Sequence, residues 1–129
     1  MKRLENKVAI ITGAAGGIGA ATAERFALEG ALGVLWDVKK DGLETVSQKL
    51  KADGHQHLVQ VVNIADATVV ERAVADVLET FGQIDILINN AGITRDARLV
   101  KMSYEQRQQV LDVNLNGVFN TTILVRRIM

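Results

Sequence analysis

Lys7-Val8-Ala9-Ile10-Ile11 runs directly into Thr12-Gly13-Ala14-Ala15-Gly16-Gly17-Ile18-Gly19, and a helical pattern comes next. The first five residues read as a short buried strand. The glycines after it let the backbone turn tightly and let a ligand approach the main chain. A helix beginning there offers unpaired N–H groups and the positive end of its dipole, so strand, turn and helix start together form an anion site suited to a pyrophosphate. The spacing is Gly-x3-Gly-x-Gly, and the plainer alternative is a flexible loop that closes a strand–helix unit.

Outward from this stretch the chain alternates strand and helix. A helix from about Ile18 to Glu29 stops at Gly30, and Leu32 to Trp36 reads as a second strand. A helix from about Gly42 to Ala52 ends at Gly54, and His57 to Asn63 is a third strand. Asp66 caps a helix that runs to about Phe81 with Gly82 behind it. Ile84 to Ile88 is a fourth strand, predicted to be buried on both faces. After a loop from Asn89 to Met102, Ser103 and Gln106 form a capping-box signature. The remainder to Met129 reads as helix, with an interruption near Asn114 to Gly117.

Strands separated by helices require right-handed crossovers, hence a parallel sheet with helices on both faces. The expected fold class is α/β, a Rossmann-like sheet whose first and fourth strands lie side by side. The glycine loop and the Asn89 loop would then leave the sheet at the same end and face one crevice. Residues 1–129 form the N-terminal dinucleotide-binding part of such a domain in this reading.

Bulk properties narrow the function. Fifteen basic residues balance fifteen acidic ones, with no basic stripe interleaved by aromatics, so nucleic acid is not the expected partner. No apolar run is long enough to span a membrane, and Met1 to Asn6 lacks the apolar core of a signal peptide. The absence of cysteine excludes disulfides, thiolate metal sites and a cysteine nucleophile, and suits a cytoplasmic protein. No metal site is expected: His55 and His57 lack ligand partners and read as solvated loop histidines.

Asp37 ends the second strand, eighteen residues after Gly19. An acid about twenty positions beyond a glycine loop is where an adenosine ribose is read. Its carboxylate would accept from both ribose hydroxyls and repel a 2′-phosphate, which favours NAD over NADP, although Lys39 and Lys40 stand nearby. The alternative is an ordinary solvated acid at a strand end. Asn89-Asn90-Ala91-Gly92 comes directly after the fourth strand; its amides could satisfy orphan backbone groups there or line a ligand.

Thr12 to Gly19 and Asn89 to Gly92 resemble the two N-terminal signatures of the short-chain dehydrogenase/reductases. Asn114, within Val113-Asn114-Leu115-Asn116-Gly117-Val118-Phe119, resembles a third. The longer run Asn89 to Asp96 is similar to the 3-oxoacyl-acyl-carrier-protein reductase branch. The resemblance implies that Gly13, Gly16, Gly17, Ile18 and Gly19 surround the pyrophosphate and Asp37 the adenosine ribose. Asn63 and Ile64 would flank the adenine, with Asn63 standing where many members carry Asp. Asn90, Ala91 and Gly92 would line the ribose side, and Asn114 would be an accessory catalytic residue that holds a water. Without the resemblance, Asn114 reads as a polar residue interrupting a helix. Arg95 and Asp96 could meet substrate at the crevice rim or form a surface ion pair.

The family's reaction is hydride transfer at a carbonyl or alcohol, which by resemblance means a small 3-oxoacyl or 3-hydroxyacyl substrate. Its serine and Tyr-x-x-x-Lys segment lie beyond the asparagine motif. The only tyrosine here is Tyr104, with Gln108 four residues later, and it reads as a surface position near a helix start. Family members are roughly twice as long, and Leu124 to Met129 contains no helix stop signal. The expectation is therefore an N-terminal portion, inactive alone, whose fourth strand exposes an edge.

The last helix carries one apolar stripe of Leu111, Leu115, Val118, Val125 and Met129, and a second of Val110, Val113, Leu124 and Ile128. One stripe is expected to face the sheet and the other a partner, as a homo-oligomer or through the strand-four edge. Two other classes stay open: a non-catalytic nucleotide-binding module completed by another protein, and a piece whose only property is assembly.

Overall fold

β1 (Val8–Thr12) buries all five of its side chains, because it is the strand against which everything else is laid. The computed structural model describes residues 2–92 and 103–129. β2 (Leu32–Asp37), β3 (His57–Val61) and β4 (Ile86–Ile88) join β1 in one parallel sheet of order β3-β2-β1-β4. Val8 to Thr12 lie opposite Leu32 to Trp36, and Ala9 to Ile11 opposite Ile86 to Ile88. First and fourth strands are neighbours, as the Rossmann order requires.

The two-residue period of a strand divides the apolar residues between two layers. Val8, Ile10, Val34 and Trp36 pack with Val70, Val74 and Val77 of α3 (Ala67–Phe81) and with Val125 of α5 (Val118–Arg126). Ile11 and Leu35 pack on the other face with Ala23 and Ala27 of α1 (Gly17–Leu28) and Leu43, Val46 and Leu50 of α2 (Lys40–Ala52). The small alanines let α1 sit close to the sheet. Within the first layer, the buried Trp36 indole donates to Gln60 Oε1 at 2.7 Å, and Gln60 Nε2 donates to the Ala73 carbonyl at 3.1 Å. Among the described residues no helix is long and apolar enough to cross a membrane.

Helix ends obey local chemistry. The Asp66 carboxylate accepts from the N–H groups of Thr68 and Val69, and Gly82 closes α3 in a left-handed conformation. Ser103 and Gln106 form the reciprocal capping box of α4 (Tyr104–Leu111). A π-helical turn, Asp112–Gly117, then joins α4 to α5 at the predicted interruption.

Four expectations are corrected. β4 is shorter than Ile84 to Ile88 and is not buried on both faces: its three side chains are partly exposed, and among the described residues it pairs on one side only. Asp85 departs from the apolar run as well, its carboxylate accepting from the Val8 N–H at 2.9 Å. His57 is not a solvated loop residue; it opens β3, with Nε2 2.7 Å from Ser47 Oγ and Nδ1 2.9 Å from the His55 carbonyl. The stripes of the last helix do not hold either. The buried face runs through Gly117, Thr121 and Val125, while Leu115 and Met129 are exposed. The π turn adds a residue to one turn and rotates α4 relative to α5, so no stripe of constant period crosses it.

Candidate functional site

The carboxyl ends of β1, β2 and β4 surround a crevice of about 460 Å³. From the β1 side it is lined by Gly13, Ala15, Gly16 and Gly17; from the β2 side by Trp36, Asp37, Val38 and Lys39. Val62, Asn63 and Ile64 after β3, Asn90, Ala91 and Gly92 after β4, and Val113 complete the lining. Most residues singled out in the sequence thus meet in one place, including both loops.

The glycine loop is shaped by close approach. At Gly13, φ +67°, a Cβ would stand 2.9 Å from both Ala91 Cα and Asn90 Nδ2. At Gly19 a Cβ would collide with the Gly13 carbonyl. Gly19 is therefore buried packing between α1 and the loop, away from the crevice lining, and Ile18 is 77% exposed outside it. Gly16 and Gly17 differ: among the described residues nothing stands within 4 Å of where their Cβ atoms would be. Gly16 is also the N-cap of α1, and no side chain caps that end. Among the described residues the first N–H groups of α1 thus carry no side-chain cap and stand in front of an open cradle, an arrangement suited to an anion. This fits a pyrophosphate.

Asp37 is held in place. Its Oδ2 accepts from the Ala15 N–H at 3.0 Å and its Oδ1 from the Lys39 N–H at 3.0 Å. Each oxygen retains accepting capacity toward the crevice. Asn63 Oδ1 accepts from the Ala65 N–H at 3.0 Å, so its amide is partly committed to its own turn. Ile64 is buried beside it at the crevice wall.

The Asn89 loop depends on a residue that sequence reasoning passed over. Thr12 Oγ1 accepts from the N–H groups of Asn90 at 3.0 Å and Ala91 at 2.9 Å, and donates to the Ile88 carbonyl at 3.3 Å. One hydroxyl uses its full capacity, one donor and two acceptors, to fasten the end of β4 to β1. Asn90 Nδ2 adds a bond to the Gly13 carbonyl at 3.2 Å. A threonine closing a buried strand was the available signal. Gly42 was also missed; a Cβ there would lie 2.8 Å from Ala15, so α2 begins hard against the glycine loop.

Asn114 sits in the π turn near Gly92, whose Cβ position is 3.4 Å from Asn114 Oδ1. Asn89 Nδ2 donates to Thr122 Oγ1 at 3.2 Å, tying the loop to α5 as well. Tyr104 is 90% exposed at the start of α4 and does not line the crevice. Arg95 and Asp96 lie outside the described residues. Among the described residues no three His, Cys, Asp or Glu side chains converge as metal ligands would. At the far end of α1, the Arg3 N–H holds the Glu29 carboxyl below its ordinary value; desolvation opposes this and Arg25 assists.

Known proteins share this geometry. A family model described as short chain dehydrogenase matches residues 7–129. A 3-oxoacyl-[acyl-carrier-protein] reductase FabG from Thermotoga maritima is 45% identical, over 95% of this chain and 50% of that protein. A 3-oxoacyl-[acyl-carrier-protein] reductase from Synechocystis is 38% identical, over 100% of this chain and 53% of that protein. The chain spans about half the length of the curated relatives it matches. Among solved structures, a short chain dehydrogenase/reductase from Burkholderia phymatum in complex with NAD superposes with TM-score 0.95 at 32% identity, over 100% of this chain and 46% of that one. LigD from Sphingobium, in its apo form, superposes with TM-score 0.94 at 32% identity, over 98% of this chain and 54% of that one.

Proposed function

Because this chain belongs to the short-chain dehydrogenase family, which binds NAD(P), we propose that residues 1–129 are the dinucleotide-binding part of an NAD-dependent oxidoreductase acting on 3-oxoacyl or 3-hydroxyacyl substrates. The observation that carries the reading is convergence: the uncapped start of α1, the Asp37 carboxylate and the Asn90–Gly92 loop all face one crevice. Gly16, Gly17 and the α1 N-terminus hold the pyrophosphate, with Gly13 and Gly19 keeping the loop tight enough to do so. Asp37, already oriented by two backbone N–H groups, accepts from the adenosine ribose hydroxyls. Asn63 and Ile64 flank the adenine, and Asn90, Ala91 and Gly92 line the second ribose.

The nicotinamide, when bound, supplies the hydride acceptor or donor for a substrate alcohol or carbonyl. Asn114 positions a water near Gly92 for the accompanying proton movement. No group in these 129 residues matches the family's Tyr-x-x-x-Lys pair, so this chain alone should bind without turning over. The same crevice serves the second reading, a non-catalytic nucleotide-binding module completed by a partner; tight binding without turnover by the natural gene product would favour it.

The preference for NAD over NADP rests on charge. A 2′-phosphate beside the fixed Asp37 carboxylate would lose a hydrogen bond and meet a like charge. We expect NADH to bind at least about tenfold more tightly than NADPH, a difference of about 1.4 kcal/mol, and Asp37→Ser to narrow the gap. Titration of both nucleotides against both proteins checks this. A wild-type preference for NADPH would overturn the cofactor assignment, and binding of neither would overturn the site.

A further inference from the structure

Ile64 forms part of the crevice wall, and the helix behind it is set unusually close. Gly117 ends the π turn directly against Ile64: a Cβ there would stand 2.6 Å from Ile64 Cγ1 and 2.7 Å from Cδ1. One turn on, Asn120 Nδ2 donates to the Ile64 carbonyl at 3.1 Å, fastening α5 to the same residue's backbone. At its other end the π turn contributes Val113 to the crevice lining and carries Asn114 beside Gly92. The turn thus meets the crevice lining at Ile64, at Val113 and beside Gly92. α5 has little freedom to retreat, since Thr121 and Val125 are fully buried beneath it. An added methyl at position 117 would therefore have to displace the Ile64 side chain, which is part of the crevice lining.

We infer that Gly117 is a positioning residue that sets how far Ile64 stands into the crevice, so that the adenine-side wall and the turn bearing Asn114 move as one unit. This rests on the dinucleotide reading above. The experiment compares wild type, Gly117→Ala, Ile64→Ala and the double variant. The probes are 5′-AMP and NADH, read by fluorescence of Trp36, the only tryptophan and itself a crevice residue.

Gly117→Ala should weaken 5′-AMP and NADH alike, by about tenfold. Removing the offending side chain should undo this, bringing the double variant to within about threefold of Ile64→Ala alone. A helix merely destabilised by the methyl would not be rescued in that way. Gly117→Ala binding 5′-AMP as wild type does, or a double variant no better than Gly117→Ala, would overturn the inference. A ligand-free measurement separates this from failure of the nucleotide reading. In Gly117→Ala the Ile64 δ1-methyl and the Asn114 side-chain amide signals should shift together, and an unmoved Ile64 methyl overturns the coupling whether or not any nucleotide binds.

Discussion

β1 is hydrogen-bonded to a strand on each side and buries all of its side chains, whereas β4 is paired on one side, over three residues that stay partly exposed. Both nonetheless deliver a loop to the same crevice. The β1 loop turns on its own glycines, with Gly13 and Gly17 at positive φ, and has no room for a side chain where Gly13 meets Asn90 and Ala91 or where Gly19 meets the Gly13 carbonyl. The loop after β4 has little strand behind it and takes its position from Thr12, which belongs to β1. The difference teaches that one side of the site is turned by its own glycines on a fully paired strand, whereas the other is held in place by a neighbour. A weak edge strand can present a well-placed loop if a buried hydroxyl on its strong neighbour holds it.

Thr12→Val breaks that support most directly. It removes the hydroxyl while preserving shape and strands the Ala91 N–H, whereas the Asn90 N–H still reaches the Ile88 carbonyl at 3.1 Å. The expected loss is about 2 kcal/mol of stability, with weaker NADH binding, and Thr12→Ser should retain most of both. Thermal melts and nucleotide titration of the two variants check this; equal behaviour of Val and Ser would remove Thr12 from its role.

The exposed side of β4 supports the second expectation, that this chain associates. Its outer edge is unpaired among the described residues, and Leu115 and Phe119 on the neighbouring helical segment are 62% and 64% exposed. We propose self-association through this side, and expect Phe119→Asp to weaken it by about tenfold, or about 1.4 kcal/mol. Sedimentation velocity over a concentration series is the measurement, and a wild-type chain monomeric throughout would sink the proposal.

The smallest effect concerns the entry to β1, where the backbone of Arg3 donates to the Glu29 carboxylate. Glu29 has its folded pKa depressed, so its contribution is present above the unfolded value and is lost as pH falls through the folded one. The melting-temperature advantage of wild type over Glu29→Gln should therefore shrink as pH drops below about 4.5. An advantage that does not change with pH would exclude this contact as its source.

Much of the fold was legible in the chain because its signals are local. Asp66 and Ser103 cap helices through neighbours two or three residues away, and Gly30 and Gly82 follow helix ends at positive φ. The glycine loop, Asp37 and the Asn89 loop could be assigned to one crevice because the glycine-rich first turn points to the Rossmann order, in which the first and fourth strands are adjacent. The apolar stripes of the last helix misled for an equally specific reason. A constant helical period was read across Asp112 to Gly117, and the π turn breaks it.

The sequence by itself thus determined the alternation, the sheet order and the family, since periodicity, caps and a glycine-rich turn act over a few residues and leave their mark there. Only the tertiary structure decided that Thr12 holds Asn90, seventy-eight residues away, and that Gly117 abuts Ile64. It also decided that Gly19 packs rather than lines the crevice, and that β4 stays half-exposed. These depend on which distant surfaces meet and how closely. A side chain's own neighbours in the sequence carry no record of that distance.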